Sequence, residues 1–317
     1  MSSASSLIPA YVMERLRLDM RINPQFMKCV VFIGIEDERG AFAPIGTGFL
    51  ITPQVEDVFI LHVATAAHVV EDLSEAAQAR LVVRANRKDG TSMTLRLQMD
   101  QALTHEKRAN DVMLIPLTID PTILDYTTVP GNREVIAKQR AESGEDIAPG
   151  DSVAVVGLYT SHHGAIRNAP VLRTGNIAAL ADEPVLTARG YAEAHLIELR
   201  TIAGLSGSPV FQTAPPVRIR GGKTEFRNND LSEGILLGLL TGYHCIEDDT
   251  DVISVPRFGP QQASSSDTEQ STDERNTGFG VVILAERIFE IFEREDVQKR
   301  FAEQLNRHRA TALYKKA

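Results

Sequence analysis

From residue 28 onward the chain alternates short apolar runs with clusters of turn residues. Runs of about four to eight apolar or β-branched residues, bounded by Gly, Pro, Asn or Asp, are typical of β-strands. Six such runs lie before residue 120, at positions 30–35, 48–51, 58–63, 81–85, 93–98 and 112–117. Short strands in this number, with turns between them, are enough for one small antiparallel barrel.

A second set of runs follows the segment 126–149, which contains two prolines and two glycines. Because Gly and Pro mark connecting segments, we interpret 126–149 as a linker between two barrels. The later runs lie at positions 152–157, 171–177, 194–200, 209–211, 235–241 and 278–283. The sequence therefore predicts an all-β fold with barrels at 28–125 and 150–283, after an N-terminal extension at 1–27.

Three segments depart from this pattern. Between 284 and 317 apolar residues recur at four-residue steps, which predicts a C-terminal amphipathic helix, followed by a tail, packed on the second barrel. Residues 259–277 hold almost no apolar side chains, so burial cannot offset the entropy cost of ordering them, and we expect a mobile insertion. The basic segment 212–233 is interpreted as a solvated loop, with partner binding as the alternative.

The composition, 43% apolar and 24% charged, is that of an ordinary globular protein. A net charge of −9 argues against nucleic-acid binding, which needs a basic surface. No apolar run approaches the roughly 18–20 residues that span a bilayer, and the N-terminus lacks the basic and apolar regions of a signal peptide. We therefore expect no nucleic-acid partner and no membrane partner.

Cysteine usage bears on the cellular compartment. The chain has two cysteines, Cys29 and Cys245, in opposite halves. They could pair, but a low number of free thiols is typical of a reducing compartment. We expect both thiols to be free and the protein to be cytoplasmic.

Three segments carry candidate chemistry. Ser206 stands in a turn between Gly204 and Gly207. His68 follows an apolar run, and Asp111 leads directly into another. A serine hydroxyl becomes a nucleophile when an imidazole takes its proton, and that imidazole needs a carboxylate to fix its tautomer. The three residue types of a catalytic triad therefore occur in the order His, Asp, Ser.

The motifs around these residues resemble those of the trypsin/chymotrypsin family of serine peptidases. Thr-Ala-Ala-His stands at 65–68, and Asn-Asp followed by apolar residues stands at 110–114. The family pattern Gly-x-Ser-Gly-Gly-Pro appears at 204–209, with Ser208 in place of the second glycine. Together with similar flanking segments, the resemblance covers roughly residues 28–295.

The resemblance implies a chymotrypsin-like fold of two antiparallel six-stranded β-barrels with a C-terminal helix. It implies that Ser206 is the nucleophile, that His68 acts as base and then as acid, and that Asp111 orients His68. The backbone N–H groups of Gly204 and Ser206 would form the oxyanion hole. The resemblance implies neither a metal nor a cofactor.

The resemblance also places a substrate pocket. Arg200, six residues before Ser206, lies where the family often sets the pocket floor, and there it would favour an acidic substrate side chain. The alternative is that Arg200 is a solvated residue at a strand end. His244 is the expected rim contact. Thr241 is assigned to the same pocket, and by analogy it would donate its hydroxyl to Asp111.

One departure from the family pattern concerns activation. Zymogens of this family keep an aspartate just before the nucleophile, which pairs with a newly cut N-terminus, but Leu205 stands at that position. Activation by N-terminal cleavage is therefore not expected. The resemblance is closer to intracellular bacterial, HtrA-like or viral-type relatives.

The spacing of the residues argues against two other kinds of site, a dinucleotide-binding loop and a zinc-protease site. The Gly-Thr-Gly at 46–48 would need a third glycine at the position of Ile51 to form a dinucleotide loop. His105 and Glu106 lack the second histidine of a zinc-protease motif. We therefore expect no metal site and no cofactor.

These observations predict a cytoplasmic serine endopeptidase that acts on protein or peptide substrates. The alternative is a binding or regulatory module with a protease fold, inactive or gated until a regulatory protein partner binds. The 259–277 insertion is the segment where such gating would arise.

Overall fold

The structure is a computed structural model, and it describes residues 25–56, 58–143, 147–213, 217–220, 223–226, 234–246 and 275–314. Most of the insertion expected at 259–277 and of the extension expected at 1–27 lies outside the described residues. Within them the chain is strand-rich and ends in two successive helices.

The N-terminal half forms an eight-stranded sheet and a separate strand pair. Its strands, in chain order, are β1 (Val30–Glu36), β2 (Phe42–Thr52), β3 (Gln54–Val55), β4 (Val58–Phe59), β5 (His62–Ala66), β6 (Leu81–Asn86), β7 (Ser92–Arg96), β8 (Leu103–Thr104), β9 (Val112–Pro116) and β10 (Val129–Pro130). The order along the sheet is β7–β6–β1–β2–β5–β9–β8, with β10 parallel to β2. β3 and β4 pair with each other.

The C-terminal half contains a closed six-stranded antiparallel barrel. The strands of this half are β11 (Ser152–Gly157), β12 (Val171–Ala179), β13 (Val185–Thr187), β14 (Gly190–Ala192), β15 (Ala194–Glu198), β16 (Pro209–Gln212), β17 (Val217–Arg220), β18 (Lys223–Phe226), β19 (Ile235–Ile246) and β20 (Arg275–Leu284). The barrel order is β11–β12–β15–β20–β19–β16, and β16 closes it by pairing with β11. The hairpins β13–β14 and β17–β18 lie outside the barrel.

Helices connect and cover these sheets. They are α1 (Gln25–Lys28), α2 (His68–Glu71), α3 (Glu75–Gln78), α4 (Arg133–Ser143), α5 (Ala285–Glu293) and α6 (Glu295–Tyr314). α5 ends because Arg294 adopts an extended conformation, with φ −59° and ψ 140°. In the part of the chain that the structure describes, no helix is both long and apolar enough to cross a membrane.

The predicted all-β class with a helical C-terminus is confirmed, and each predicted apolar run overlaps a strand. The N-terminal sheet differs in detail from a six-stranded barrel. Among the described residues its hydrogen bonding runs from β7 at one edge to β8 at the other, and eight strands take part. The linker at 126–149 contains β10 and α4, and the loop expected at 212–233 contains the β17–β18 hairpin.

The C-terminal helix expected at 284–317 is two helices. The spacing of its apolar residues explains the break, because the four-residue steps are interrupted by one five-residue step between Phe292 and Val297. The first of these helices contacts β19 and β20 of the second barrel, as expected, and the segment also packs on the N-terminal half. Phe292 and Phe301 pack against His62 of β5 in the N-terminal half, with ring centroids 5.1 and 5.7 Å from the His62 ring.

His62 lies in the core between β5 and these helices and is 1% exposed. Burial lowers its pKa to about 4, although a hydrogen bond with the Ile60 carbonyl (3.1 Å) opposes the shift. The ring is therefore neutral in the folded protein at pH values where the unfolded chain already binds a proton.

We predict that acid weakens the fold through His62. Between pH 6.5 and pH 4 the unfolded state gains a proton at this ring and the folded state does not, so the free energy of unfolding falls by about 3 kcal/mol from this group. His62→Gln removes the titration and should show a shallower pH dependence in urea denaturation. If the free energy of unfolding depends on pH equally in the two proteins, the prediction is contradicted.

Candidate active site

The ends of two neighbouring strands bring His68 and Asp111 together. β5 and β9 are antiparallel and pair as far as Ala66 and Val112. The chain therefore leaves β5 toward His68 at the same edge where Asp111 leads into β9. His68 is the first residue of α2, and Asp111 follows the 3-10 turn Arg108–Asn110.

Asp111 contacts both the backbone and the ring of His68. The His68 backbone N–H donates to Oδ1 of Asp111 at 2.9 Å, and the ring Nδ1 lies 2.6 Å from Oδ2. Because Nδ1 faces a carboxylate, it carries the proton of the neutral ring, and Nε2 is left unprotonated. No described residue hydrogen-bonds to Nε2, so this atom is available to accept a proton.

The backbone of Asp111 is held in an uncommon conformation. Its φ of 28° and ψ of 42° lie near the left-handed region, which Asp tolerates better than most residues. Its N–H donates to the Arg108 carbonyl (3.2 Å), and its carbonyl accepts the Ala67 N–H (3.1 Å). These bonds keep the carboxylate directed at His68.

Two further groups reach the Asp111 carboxylate, which is buried. Thr241 of β19 donates its hydroxyl to Oδ2, so the contact expected from the sequence is present. Nε of Arg189 lies 3.2 Å from Oδ1. Burial raises the pKa of this carboxyl, but the hydrogen bond and charge of His68, the Thr241 hydroxyl and the Arg189 charge outweigh burial and hold that pKa below its usual value. Asp111 is therefore ionised at neutral pH.

The turn that carries Ser206 connects β15 and β16, and it depends on glycine. Gly204 and Gly207 have φ values of 97° and 88°, which L side chains rarely adopt. A Cβ on Gly207 would lie 2.0 Å from the carbonyl oxygen of Thr47 in β2. Only glycine therefore allows this turn to touch the N-terminal half.

Leu205 secures the same turn from the opposite side. Its side chain is 1% exposed and belongs to the apolar interior of the barrel. The position that carries an ion-pairing aspartate in the zymogens is thus occupied by a buried apolar side chain. Apolar burial, which needs no charged partner, fixes the turn here.

Some backbone N–H groups of the turn donate hydrogen bonds and others have no acceptor among the described residues. Those of Leu205, Gly207 and Ser208 donate to backbone carbonyls at 3.3, 2.7 and 2.9 Å. Those of Gly204 and Ser206 donate to no acceptor in the described part of the chain. Two free N–H groups next to one serine hydroxyl match the pattern of an oxyanion hole.

Thr47 of β2 connects this turn to the N-terminal half. Its N–H donates to the Ser206 carbonyl (2.9 Å), and its hydroxyl donates to the Gly204 carbonyl (2.6 Å) and accepts the Leu158 N–H (2.8 Å). Its own carbonyl accepts the Thr65 hydroxyl at 2.7 Å. Thr47 thereby orients the 204–205 and 206–207 peptide groups of the turn that carries the candidate nucleophile.

Ser206 itself is not hydrogen-bonded to His68. Its hydroxyl donates to the carbonyl of Thr241 at 3.3 Å, and this is its hydrogen-bond partner among the described residues. The structure therefore forms the His68–Asp111 pair completely and leaves the serine hydroxyl turned toward β19.

Two further candidate residues, Arg200 and His244, were predicted to contact substrate, and that prediction stays untested. Arg200 is exposed, two residues beyond the end of β15. His244 lies in β19, but its side chain is outside the described residues. In the described ranges no group of three or more His, Cys, Asp or Glu side chains could hold a metal ion.

Thr47 and Arg189 are site residues that sequence reasoning missed. Thr47 stands between Gly46 and Gly48 in a strand next to the His68 motif, and a threonine at that place was a usable signal. Arg189 gave no signal, because its contact with Asp111 joins residues 78 positions apart.

Two sequence comparisons give different results. Residues 46–215, just over half of the chain, match the family described as trypsin-like peptidase domain. A search of curated protein sequences finds no match.

Several solved structures are similar to this chain. The MamO protease domain from Magnetospirillum magneticum, in its apo form, has 14% identity and a TM-score of 0.47, covering 84% of this chain and 96% of that one. The Rv3671c protease of M. tuberculosis, in an inactive form, has 15% identity and a TM-score of 0.43, covering 90% and 94%. Human heparin binding protein has 13% identity and a TM-score of 0.41, covering 70% and 82%. We draw nothing about chemistry from these likenesses.

We predict that Thr47→Val destabilises the protein by about 2–3 kcal/mol, because it leaves the buried Leu158 N–H and Gly204 carbonyl without partners. Thr47→Ser keeps the hydroxyl and loses one buried methyl group, so it should cost only about 1 kcal/mol. Urea denaturation of both variants measures the difference. A valine variant as stable as the serine variant would show that the hydroxyl does not hold the turn.

Proposed function

The chain belongs to the trypsin-like peptidase domain family, and from this premise we propose that it is a serine endopeptidase that cleaves protein or peptide substrates through an acyl-enzyme. The observation that carries the proposal is the His68–Asp111 pair, with its proton on Nδ1 and Nε2 free. Ser206 lies in the adjacent turn beside two free N–H groups. The three side chains would act as base, orienting carboxylate and nucleophile.

In the proposed acylation, Oγ of Ser206 bonds to the carbonyl carbon of the scissile peptide while its proton passes to Nε2 of His68. Asp111, ionised and buried, stabilises the imidazolium that results. His68 then gives the proton to the amine as the C–N bond breaks. In deacylation a water molecule takes the place of the serine hydroxyl, and the same proton path runs again.

The free N–H groups of Gly204 and Ser206 are the proposed donors to the oxyanion. The negative charge develops on the former carbonyl oxygen, and fixed donors stabilise it without reorganisation. One such donor contributes roughly 3–4 kcal/mol to transition-state stabilisation. The hydrogen bonds from Thr47 support this role, because they fix the 204–205 and 206–207 peptide groups, which flank the peptide group that carries the Ser206 N–H.

The Ser206 hydroxyl must turn from the Thr241 carbonyl to Nε2 of His68 before it reacts, because its hydrogen bond is to that carbonyl. A neutral hydrogen bond of 3.3 Å contributes about 1 kcal/mol or less, so the rotation costs little. Contacts between a nucleophile and its base are often completed only when substrate binds.

The same contact favours one second candidate function. In a gated regulatory module, Ser206 would stay on the Thr241 carbonyl until a protein partner shifts β19. The two candidates differ in whether the isolated protein reacts.

We predict that the isolated protein is labelled by a fluorophosphonate probe at Ser206, since a serine activated by a free Nε2 attacks the phosphorus. Mass spectrometry locates the adduct. Ser206→Ala should take up no label, and Ser208→Ala, two residues away in the same turn, should be labelled like the wild type. Equal labelling of wild type and Ser206→Ala would overturn the endopeptidase proposal. Labelling that starts only after a second protein is added would support the gated candidate.

We further predict that Asp111→Asn lowers kcat for a protein substrate by roughly 10⁴-fold. An amide can place its N–H group opposite Nδ1, which moves the ring proton to Nε2 and removes the base. The free energy of unfolding, measured in parallel, separates this effect from a loss of structure. A kcat within about tenfold of wild type would show that Asp111 does not orient His68.

A further inference from the structure

The β13–β14 hairpin carries Arg189 from the C-terminal half to the candidate active site. At its tip the Thr187 hydroxyl donates to the Gly190 carbonyl (2.7 Å) and accepts the Arg189 N–H (3.1 Å). Just beyond β14, Glu193 is ion-paired with Arg287 of α5. The hairpin is therefore fixed at both ends.

The Arg189 side chain is only 8% exposed, and it pairs with three carboxylates of the N-terminal half. Nη1 lies 2.6 Å from Glu71, Nη2 lies 3.0 Å from Asp72, and Nε lies 3.2 Å from Asp111. Burial lowers the pKa of Arg189, but the carboxylates outweigh burial and raise that pKa above its usual value. The guanidinium is therefore permanently charged, and its charge is fully paired.

These contacts join the two members of the His68–Asp111 pair. Glu71 ends α2, the turn that begins at His68, and Asp72 follows it. One rigid guanidinium therefore binds the carboxylate and also the element that carries the imidazole. Its planar fork sets the spacing between the two, which a flexible point charge does not do.

Arg189 also offsets the negative charge that surrounds it. Glu71 and Asp72 from the α2 turn and Asp111 from the start of β9 contribute three negative charges. Arg108, on the 3-10 turn before Asp111, is exposed to solvent. Without Arg189 the carboxylates would repel one another, and this repulsion would push Asp111 and the α2 turn apart.

We propose that Arg189 is a positioning residue, which holds the Asp111 carboxylate and α2 in the geometry that joins Asp111 to His68. Its consequence for turnover rests on the proposed peptidase function. Its effect on the hydrogen bond between the two side chains does not, because that bond is present without substrate.

The test compares Arg189→Met with Arg189→Lys. In Arg189→Met the NMR resonance of the proton between Nδ1 of His68 and Asp111 should move upfield, because the two side chains are no longer held at hydrogen-bond distance. Its kcat should fall by about tenfold or more while KM stays nearly unchanged. Arg189→Lys keeps the charge but not the planar fork, so both changes should be smaller. An unmoved resonance in a folded Arg189→Met protein overturns the proposal.

Two further variants make the test specific. Arg133→Met removes an arginine that is 40% exposed and paired with Glu293 away from the site, and it should leave the resonance unmoved. Glu71→Gln combined with Asp72→Asn weakens the contacts of Arg189 with the α2 turn and keeps the contact with Asp111. It should also move the resonance, and it carries the test if Arg189→Met does not fold. An unmoved resonance in that double variant overturns the proposal as well.

Failure of the two proposals can be told apart. A wild type that neither cleaves nor labels overturns the peptidase proposal, yet a moved His68–Asp111 proton resonance in Arg189→Met would still support the role of Arg189. A labelled wild type with an unmoved resonance in Arg189→Met supports the peptidase proposal and overturns the role of Arg189.

Discussion

The candidate site depends on one close approach between the two halves, where Gly207 of the serine turn meets Thr47 of β2. No side chain fits at Gly207, so the turn can lie directly against the strand. β2 pairs with β5, and β5 leads into His68. The position of Ser206 relative to the imidazole is therefore set through two paired strands and the hydrogen bonds of one buried threonine. A sheet transmits such a position with less freedom than a loop would, because each strand is fixed along its length.

A second constraint follows from burying charge at that contact. Asp111 is 4% exposed, and its carboxylate receives donors from the His68 backbone, the His68 ring, Thr241 and Arg189. A buried carboxylate with fewer partners would be costly to keep ionised. The partners come from both halves, since Thr241 and Arg189 lie beyond the linker. The ionised Asp111 carboxylate therefore also helps to hold the two halves of the chain together.

The sequence predicted features that are formed by neighbouring residues. It missed most contacts between residues that are far apart in the chain. The strands were recoverable because each is a continuous apolar run, and the motifs at His68, Asp111 and Ser206 each fit within a few adjacent residues. The expected contact of Thr241 with Asp111 came from the family resemblance, since no spacing rule links residues 130 positions apart. The β13–β14 hairpin was not predicted, because its strands are three residues each and their burial does not alternate cleanly. The contacts of Arg189 depend on how that hairpin docks, and a linear pattern does not encode docking.

Thr241 contacts both Asp111 and Ser206. Asp111 is hydrogen-bonded to His68, and Ser206 is not. The Thr241 hydroxyl donates to the Asp111 carboxylate, while the Thr241 carbonyl accepts the Ser206 hydroxyl at 3.3 Å. Both groups belong to one residue of β19, so a displacement of that strand would change the orientation of Asp111 and the position of Ser206 together. The rotation of Ser206 alone needs no such displacement, because it breaks one long hydrogen bond and leaves the hydroxyl of Thr241 in place. In the proposed mechanism, acylation therefore requires the loss of one long hydrogen bond at Ser206 and no displacement of β19.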